Sequence, residues 1–278
     1  MARKDNTFPL HIERQQQTLF ENVIFRISRK VVPKLKKQFK KQVKERKELT
    51  GDADSFGELL NDLLDEFLIF MQSKFIPNEL EKIAFLLDAW ARAKTTKSVR
   101  RLQKLKKGAA IFELPIVLDP ENPFVLDFVG SYVKQNISLV EALGREYIDD
   151  VSKLASDTFL RGGSIKDLTR NLLQFTDENV NRAAFWARDQ VGDAYSVFTK
   201  TRQNEAGIQN YIWRTVGDNA VRGNDPDDQT SHVLLEGQKF NWKKGAADTG
   251  QISKPGGKHP GEDYNCRCTA EPIFEEAD

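Results

Sequence analysis

Residues 136–175, NISLVEALGREYIDDVSKLASDTFLRGGSIKDLTRNLLQF, contain two helical patterns separated by a stop signal. Before the stop, apolar or small side chains recur at the spacing of one helix face. The positions that support this helix are Leu139, Leu143, Val151, Leu154 and Thr158. Gly162 and Gly163 end the pattern, and Ser164 with Asp167 forms a capping pair that starts a short second helix. The stretch therefore predicts helical structure in the middle of the chain.

Helical patterns also fill most of residues 14–107. An apolar residue at every fourth position forms a narrow seam, and a broader stripe follows in SFGELLNDLLDEFLIFM. The seam is Val31, Leu35, Phe39 and Val43; the stripe is Leu59, Leu60, Leu63, Leu64, Phe67, Leu68 and Met71; Leu80, Ile83, Leu87 and Trp90 indicate a third helix. Pro33 predicts a kink or a helix start within the seam.

The C-terminal part of the chain has a helical pattern followed by strand patterns. A long helix is expected from Asp177 to a terminating Gly207. Aromatic and β-branched segments then predict short strands in IQNYIWRTV, QKFNW and CRCTAEPIF, with a helix of one or two turns in TSHVLLEG. The predicted fold is mainly α, with a small C-terminal α+β module.

Three prolines and a short β-rich run interrupt the helical pattern in GAAIFELPIVLDPENP, which predicts a boundary. The resulting divisions are a charge-striped helical region at 1–110, a linker at 111–135, a helical part at 136–207 and the α+β module at 208–278.

Composition and the N-terminal segment predict the cellular compartment. The chain has 278 residues, 30% of them charged, and no run of 18 apolar residues. The N-terminus MARKDNTFPLHIERQQQ lacks the apolar segment of a signal peptide. A soluble protein that meets a reducing cytoplasm first is therefore expected.

The net charge of +1 hides a striped N-terminal third. Residues 26–47 carry eleven basic side chains and one acidic one, residues 92–107 carry eight basic and no acidic ones, and residues 48–66 carry seven acidic and no basic ones. The basic runs could bind DNA phosphates without sequence preference, could dock on an acidic protein surface, or could form a solvated face balanced by the acidic helix. The candidate binding residues are Lys34, Lys36, Lys37, Lys40, Lys41, Lys44, Arg100, Arg101 and Lys104.

Cysteine and histidine are concentrated near the C-terminus. The chain has two Cys and three His, and HPGEDYNCRC (259–268) contains both Cys and one His. Two Cys separated by one residue form no disulfide framework, because their side chains lie about 6.6 Å apart in a strand that rises ~3.3 Å per residue. The thiols are candidates either for metal ligands or for ordinary buried residues.

Residues 136–274 resemble the phage Mu F-like head morphogenesis proteins, which are minor head proteins of tailed double-stranded DNA phages. The segments that carry the resemblance are the opening stretch, RAAFWARDQVGDAYSVFTKTRQNEAGIQNYIWRT, SHVLLEGQKFNW and HPGEDYNCRCTAEPIF. The resemblance implies a structural role in head assembly. It further implies location at the portal vertex or in the head interior of the virion, following assembly in the host cytoplasm. A portal protein, capsid or scaffold proteins and packaged DNA are the partners to expect.

The resemblance also bears on the Cys pair. In many members of the family a Cys stands at the position of His232, another Cys stands three residues earlier, and a His closely precedes the Cys pair. Here the earlier Cys position is Gln229, and His259 lies seven residues before Cys266. Because Cys and His are both zinc ligands, we expect a structural Zn²⁺ held by His232, His259, Cys266 and Cys268. Asp228 could replace one His.

An enzyme is the alternative to a structural protein. His232 and Glu236 stand four residues apart, the spacing of a metal ligand and a general base on one helix face, and Asp218, Asp225, Asp227 and Asp228 are near them in sequence. The arrangement is not an HExxH motif, and the chain has no phosphate-binding loop or nucleophile elbow. We therefore expect no catalytic activity, with a metal-dependent nuclease or other hydrolase as the alternative.

Overall fold

The computed structural model describes residues 8–47, 55–71, 73–105, 119, 121–218, 221–224, 231–246 and 257–273. Five α-helices occupy most of these ranges, and a small antiparallel sheet follows them. The helices are α1 (Leu10–Lys47), α2 (Ser55–Met71), α3 (Phe75–Leu105), α4 (Pro123–Leu160) and α5 (Ile165–Glu205), and the strands are β1 (Asn210–Arg214), β2 (Lys239–Asn241) and β3 (Thr269–Ile273). The predicted fold class, mainly α with a small C-terminal α+β module, is confirmed.

Segments distant in sequence form two compact units. The helical unit contains residues 15–80 and 133–187. The module unit contains residues 1–14, 81–132 and 188–278. Helix α4 begins at Pro123, so the second half of the predicted linker is helical. Residues 106–118 lie outside the described part of the chain.

The core of the helical unit contains the apolar seam of α1. Leu35 and Phe39 are completely buried, and the Phe39 ring packs edge-on against Phe159 of α4. Helix α2 approaches α4 at Gly144, where a Cβ atom would lie 2.2 Å from the Phe67 ring. Pro33 lies inside α1 and does not start a helix. It is tolerated at an exposed position of a helix whose opposite face is held by the core.

The turn between α4 and α5 has the predicted sequence signals. Gly162 adopts a positive φ of 76°. The backbone N–H of Ser164 donates to the Asp167 carboxylate at 3.0 Å, and the backbone N–H of Asp167 donates to the Ser164 hydroxyl at 3.2 Å. This reciprocal pair caps α5. The expected break before Asp177 is absent, since α5 runs without interruption from Ile165 to Glu205.

The sheet has the strand order β2-β1-β3, and both pairings are antiparallel. Alternate residues of the central strand, Tyr211 and Trp213, are fully buried. Gln203 of α5 connects the helix to this sheet, because its side chain donates to the Ala270 carbonyl and accepts from the Trp242 indole, each at 2.9 Å. The module is thus fixed on the C-terminal half of α5.

None of the described helices combines the length and the apolar character needed to cross a membrane.

Candidate metal centre

Three of the four predicted zinc ligands lie together in the module. The Nδ1 atom of His232 is 3.6 Å from the sulfur of Cys266 and 3.6 Å from the sulfur of Cys268. The three donor atoms lie within 4.8 Å of one another, and all three residues are buried. Segments separated by more than thirty residues in sequence meet at this cluster.

Local structure brings these side chains together. His232 directly precedes a single 3₁₀ turn, Val233–Leu235, and Cys268 directly precedes strand β3. Between them, Asn265 adopts a positive φ of 51°, which an Asn tolerates better than most residues. This left-handed residue turns the chain immediately before Cys266. The expected helix of one or two turns in TSHVLLEG is this 3₁₀ turn.

The two thiols affect each other's pKa in opposite directions. A hydrogen bond from Cys268 holds the pKa of Cys266 well below its usual range. The hydrogen bond with Cys266 and burial together raise the pKa of Cys268 well above its usual range. A bound cation would favour the ionised form of both Cys266 and Cys268, because metal ligation requires thiolates.

His259 lies in a different environment from the other three predicted ligands. Its Nδ1 atom is 2.9 Å from the Tyr211 hydroxyl, and its Nε2 atom is 3.2 Å from the Lys200 ammonium. Its ring also packs on Trp242, with 4.8 Å between ring centroids. Both ring nitrogens are thus engaged, and the described metal-ligand group contains His232, Cys266 and Cys268 without His259.

A buried carboxylate borders the cluster on its other side. Asp263 lies 3.3 Å from the Nε2 atom of His232, receives a 2.8 Å hydrogen bond from Lys258, and forms an ion pair with Arg222. Burial opposes ionisation of this carboxyl group, but the hydrogen bonds from His232, Lys258 and Arg222 hold the pKa of Asp263 well below its usual range. The group is therefore an anion at neutral pH.

Helix α5 supports the turn that carries the thiols. The Asp189 carboxylate accepts the backbone N–H of Asn265 at 2.8 Å. A Cβ atom on Gly192 would lie 2.7 Å from the carbonyl oxygen of Cys266, and one on Gly261 would lie 2.7 Å from the carbonyl oxygen of Gly192. Glycine at 192 and 261 therefore lets the two backbones approach closely.

The chemistry of the three donors fits zinc. Two thiolates and one imidazole are borderline or soft ligands, whereas Ca²⁺ and Mg²⁺ prefer oxygen. Closed structural zinc sites have four ligands. The described residues of this chain bring three candidate ligands together. Asp228 and Gln229 lie outside the described residues.

Glu236, the candidate general base, is held by other groups. Its carboxylate accepts the Thr215 backbone N–H at 2.6 Å and the Arg214 guanidinium at 3.0 Å. Burial opposes its ionisation, yet these hydrogen bonds lower the pKa of Glu236. His232 and Glu236 thus have different partners. Asp218 pairs with Arg267 at 2.8 Å, and Asp225 and Asp227 lie outside the described residues.

Comparison with known proteins identifies the region that contains this cluster. Residues 149–271 match the family described as Phage Mu protein F like protein. This region, called the Mu F-like region below, is similar to that family. The match confirms the resemblance seen in the sequence. The Mu F-like region includes most of α5, the sheet and the three clustered ligands.

One relative also covers much of the chain. A protein of Haemophilus influenzae described as uncharacterized is 30% identical over 154 residues, which is 55% of this chain and 31% of the relative. The chain thus spans about a third of the length of that relative. No solved structure matches the chain.

The candidate nucleic-acid residues lie outside the Mu F-like region, on α1 and α3. On α1, the exposed members are Lys34, Lys37, Lys40, Lys41 and Lys44, and Lys36 is half-buried. Lys34 pairs with Glu66 at 3.3 Å, and Lys41 pairs with Glu45 at 3.6 Å. Arg100 and Arg101 are exposed on α3, and the Lys104 side chain lies outside the described residues.

Sequence reasoning missed three residues of the Mu F-like region that lie around the candidate metal ligands. Asp263 is three positions before Cys266, inside HPGEDYNCRC, but a lone acidic residue there has no spacing signature. Asp189 and Gly192 lie in the middle of a helical pattern more than seventy residues away. A glycine within a predicted helix is a weak signal of close backbone approach, and it was the one available sign.

Proposed function

We propose that this protein is a non-enzymatic minor head protein of a tailed double-stranded DNA phage. It associates with the portal protein during procapsid assembly in the host cytoplasm and remains in the virion, at the portal vertex or in the head interior. Capsid or scaffold proteins are further partners. The observation that carries the proposal is the Mu F-like match over residues 149–271.

Burial of the metal-ligand group supports a structural role for it. His232, Cys266 and Cys268 have exposed fractions of 2, 5 and 3%. Catalytic zinc sites keep an open position for water or substrate, whereas structural sites are closed. A buried group that joins two distant segments is suited to stabilising the fold. We propose that it binds Zn²⁺, which would contribute to the folding free energy of a module with a small core.

Co-expression with the portal protein of the same phage tests the assembly role. The expected result is a complex that co-purifies at low salt and is retained through size-exclusion chromatography. The portal protein of an unrelated phage is the matched control. Failure to co-purify with the cognate portal, for a chain that is folded by circular dichroism, would overturn the proposed association.

A second candidate function is non-specific contact with packaged DNA, which the exposed lysines of α1 favour. Lysines recur along the solvent side of this helix while Leu35 and Phe39 are buried on the other. Lys37, Lys40 and Lys44 therefore project from the face opposite the core. Cations that neutralise phosphates release counterions, so the affinity of such a surface falls steeply with salt.

Duplex binding by the full chain measures this contact. The logarithm of the affinity should fall linearly with the logarithm of salt concentration, with a slope of about −0.9 per phosphate contacted. Replacing Lys37, Lys40, Lys41 and Lys44 with Gln should reduce both the affinity and the slope. Replacing Lys153, Lys166, Lys239 and Lys243 with Gln removes the same charge elsewhere and should change the slope less. Equal losses of affinity in the two variants would show that binding depends on net charge and not on α1.

A further inference from the structure

Asp263 occupies a position from which it can control the metal-ligand group without belonging to it. Its side chain is 3% exposed and receives the Lys258 ammonium at 2.8 Å and its neighbour's backbone N–H, that of Tyr264, at 3.1 Å. Arg222 pairs with the second carboxylate oxygen, which also lies 3.3 Å from the Nε2 atom of His232. Two cations thus compensate the charge of one buried carboxylate, so it can remain an anion inside the module.

The partner of each ring nitrogen determines the tautomer of His232. A carboxylate accepts hydrogen bonds and donates none, so the nitrogen that faces Asp263 must carry the proton. That nitrogen is Nε2. Nδ1 then carries the lone pair of the ring, and Nδ1 is the atom that lies 3.6 Å from each Cys sulfur. The ring orientation therefore places a metal-binding electron pair among the thiols.

The backbone couples this carboxylate to one of the thiols. The backbone N–H of Cys266 donates to the carbonyl oxygen of Asp263 at 2.9 Å. A single tight turn therefore sets the position of Asp263 and the position of Cys266. The same residue contributes its side chain to His232 and its carbonyl group to the thiol-bearing segment.

We propose that Asp263 is the positioning residue of the metal centre: it fixes His232 as the Nε2–H tautomer, so that the imidazole binds the metal through Nδ1. Contacts with Lys258 and Arg222 hold the carboxylate in place. This inference rests on the proposed zinc site. Carboxylates that hold a metal-binding histidine in this way typically change metal affinity about 10- to 100-fold when they are removed.

Asp263→Asn in the full chain tests the proposal through metal affinity. Zinc is titrated in competition with a chromophoric chelator, and Co²⁺ is added separately to follow thiolate-to-metal charge-transfer absorption. The expected result is zinc binding weakened about 10- to 100-fold. Glu262→Gln is the matched control, because Glu262 carries the same charge one residue away and accepts the backbone N–H of His259. It should bind zinc as the wild type does.

The nitrogen resonances of His232 provide a measurement that needs no variant. In the zinc-loaded wild-type chain labelled with ¹⁵N on histidine, the Nε2 atom of His232 should show the shift of a protonated nitrogen and Nδ1 that of a metal-bound one. The reverse pattern would overturn the proposal even if Asp263→Asn does not fold. Equal zinc affinity in Asp263→Asn and wild type would also overturn it while leaving the zinc site intact. A wild-type chain that binds no zinc would instead refute the zinc site itself.

Discussion

Arg202 and Asp88 form a buried ion pair that joins α5 to α3 within the module unit. The Nε and Nη2 atoms of Arg202 donate to the two oxygens of Asp88 at 2.7 and 2.8 Å, in the parallel arrangement that suits a guanidinium and a carboxylate. Arg202 also donates to the Asp119 carbonyl at 2.6 Å and to the Glu205 carboxylate at 2.7 Å. The guanidinium is completely buried, so these partners, and not water, stabilise its positive charge.

Asp88→Ala should therefore destabilise the fold strongly. The substitution leaves a buried guanidinium without its main counter-charge, which typically costs about 3–5 kcal/mol of unfolding free energy. Urea denaturation followed by circular dichroism measures the change. The control is Asp157→Ala, which removes an exposed partner of Arg161 at 3.8 Å and should have no measurable effect. Similar stabilities for the two variants would contradict the assigned importance of the Arg202 pair.

The zinc proposal predicts that the purified chain contains about one zinc per molecule and that EDTA lowers its melting temperature. Elemental analysis of protein prepared without chelator gives the stoichiometry. Less than ~0.2 zinc per chain, together with a melt insensitive to chelator, would refute the site.

The two histidines near the cluster should behave differently. His232→Ala should lose zinc, because Nδ1 of His232 is one of the three clustered donors. His259→Gln should retain zinc, because the His259 ring nitrogens face Tyr211 and Lys200. The same elemental analysis separates the two variants. Loss of zinc from a folded His259→Gln variant would support the four-ligand set expected from the sequence.

Gly192→Ala should loosen the turn that carries the thiols. The added methyl group would meet the Cys266 carbonyl oxygen at 2.7 Å, and because that atom belongs to the backbone it cannot rotate away. Destabilisation of about 1–3 kcal/mol is expected, with weaker zinc retention. Gly130→Ala is the control: nothing lies within 4 Å of its Cβ position on α4, so the substitution should stabilise the helix by about 0.5–1 kcal/mol. Thermal unfolding compares the two, and a neutral Gly192→Ala would contradict the close contact.

Glu236 should contribute stability that depends on pH. Its pKa in the folded protein is below the ordinary value of 4.5, so the ionised carboxylate stabilises the folded state above about pH 4.5 and loses this effect as pH falls through its folded pKa. The side chain is 42% exposed, and solvent screening limits the contribution to about 0.5–1 kcal/mol. The unfolding free energy of the wild type should exceed that of Glu236→Gln at pH 7, and this difference should shrink below pH 4.5. A difference that is independent of pH would contradict this.

The Glu236→Gln variant also separates the structural proposal from the nuclease alternative. With Arg214 and Thr215 on its carboxylate, Glu236 has a structural role, so neither wild type nor variant should nick plasmid DNA with added divalent metal. Nicking by the wild type that the variant abolishes would establish the nuclease.

Local patterns predicted much of the fold because they depend on neighbouring residues. The helical seam at Leu35 and Phe39 and the cap at Ser164 each follow from side chains within a few positions of one another. The continuous α5 was missed, because helix caps and breaks inside a long amphipathic pattern are decided by the surface on which the helix packs.

The candidate metal centre was likewise predictable from the sequence only in part. Composition alone singled out the Cys pair and both nearby histidines as candidates. Which histidine joins the thiols depends on ring orientation, and the burial of Tyr211 and Trp242 beside His259 decides it. The roles of Asp263 and Gly192 likewise depend on contacts that exist only after the C-terminal turn has docked on α5.

The sequence by itself determined the helical and strand segments, the charge stripes, the candidate ligands and the phage Mu F-like relationship. Tertiary structure decided the pairing of Arg202 with Asp88 across 114 residues, the absence of His259 from the described candidate ligand group and the contact between His232 and Asp263. Periodicity and capping are properties of consecutive residues, so they can be read in order along the chain. Buried ion pairs and ligand groups require side chains from distant segments to point at one another, and only the packing of helices against one another and against the sheet sets those directions.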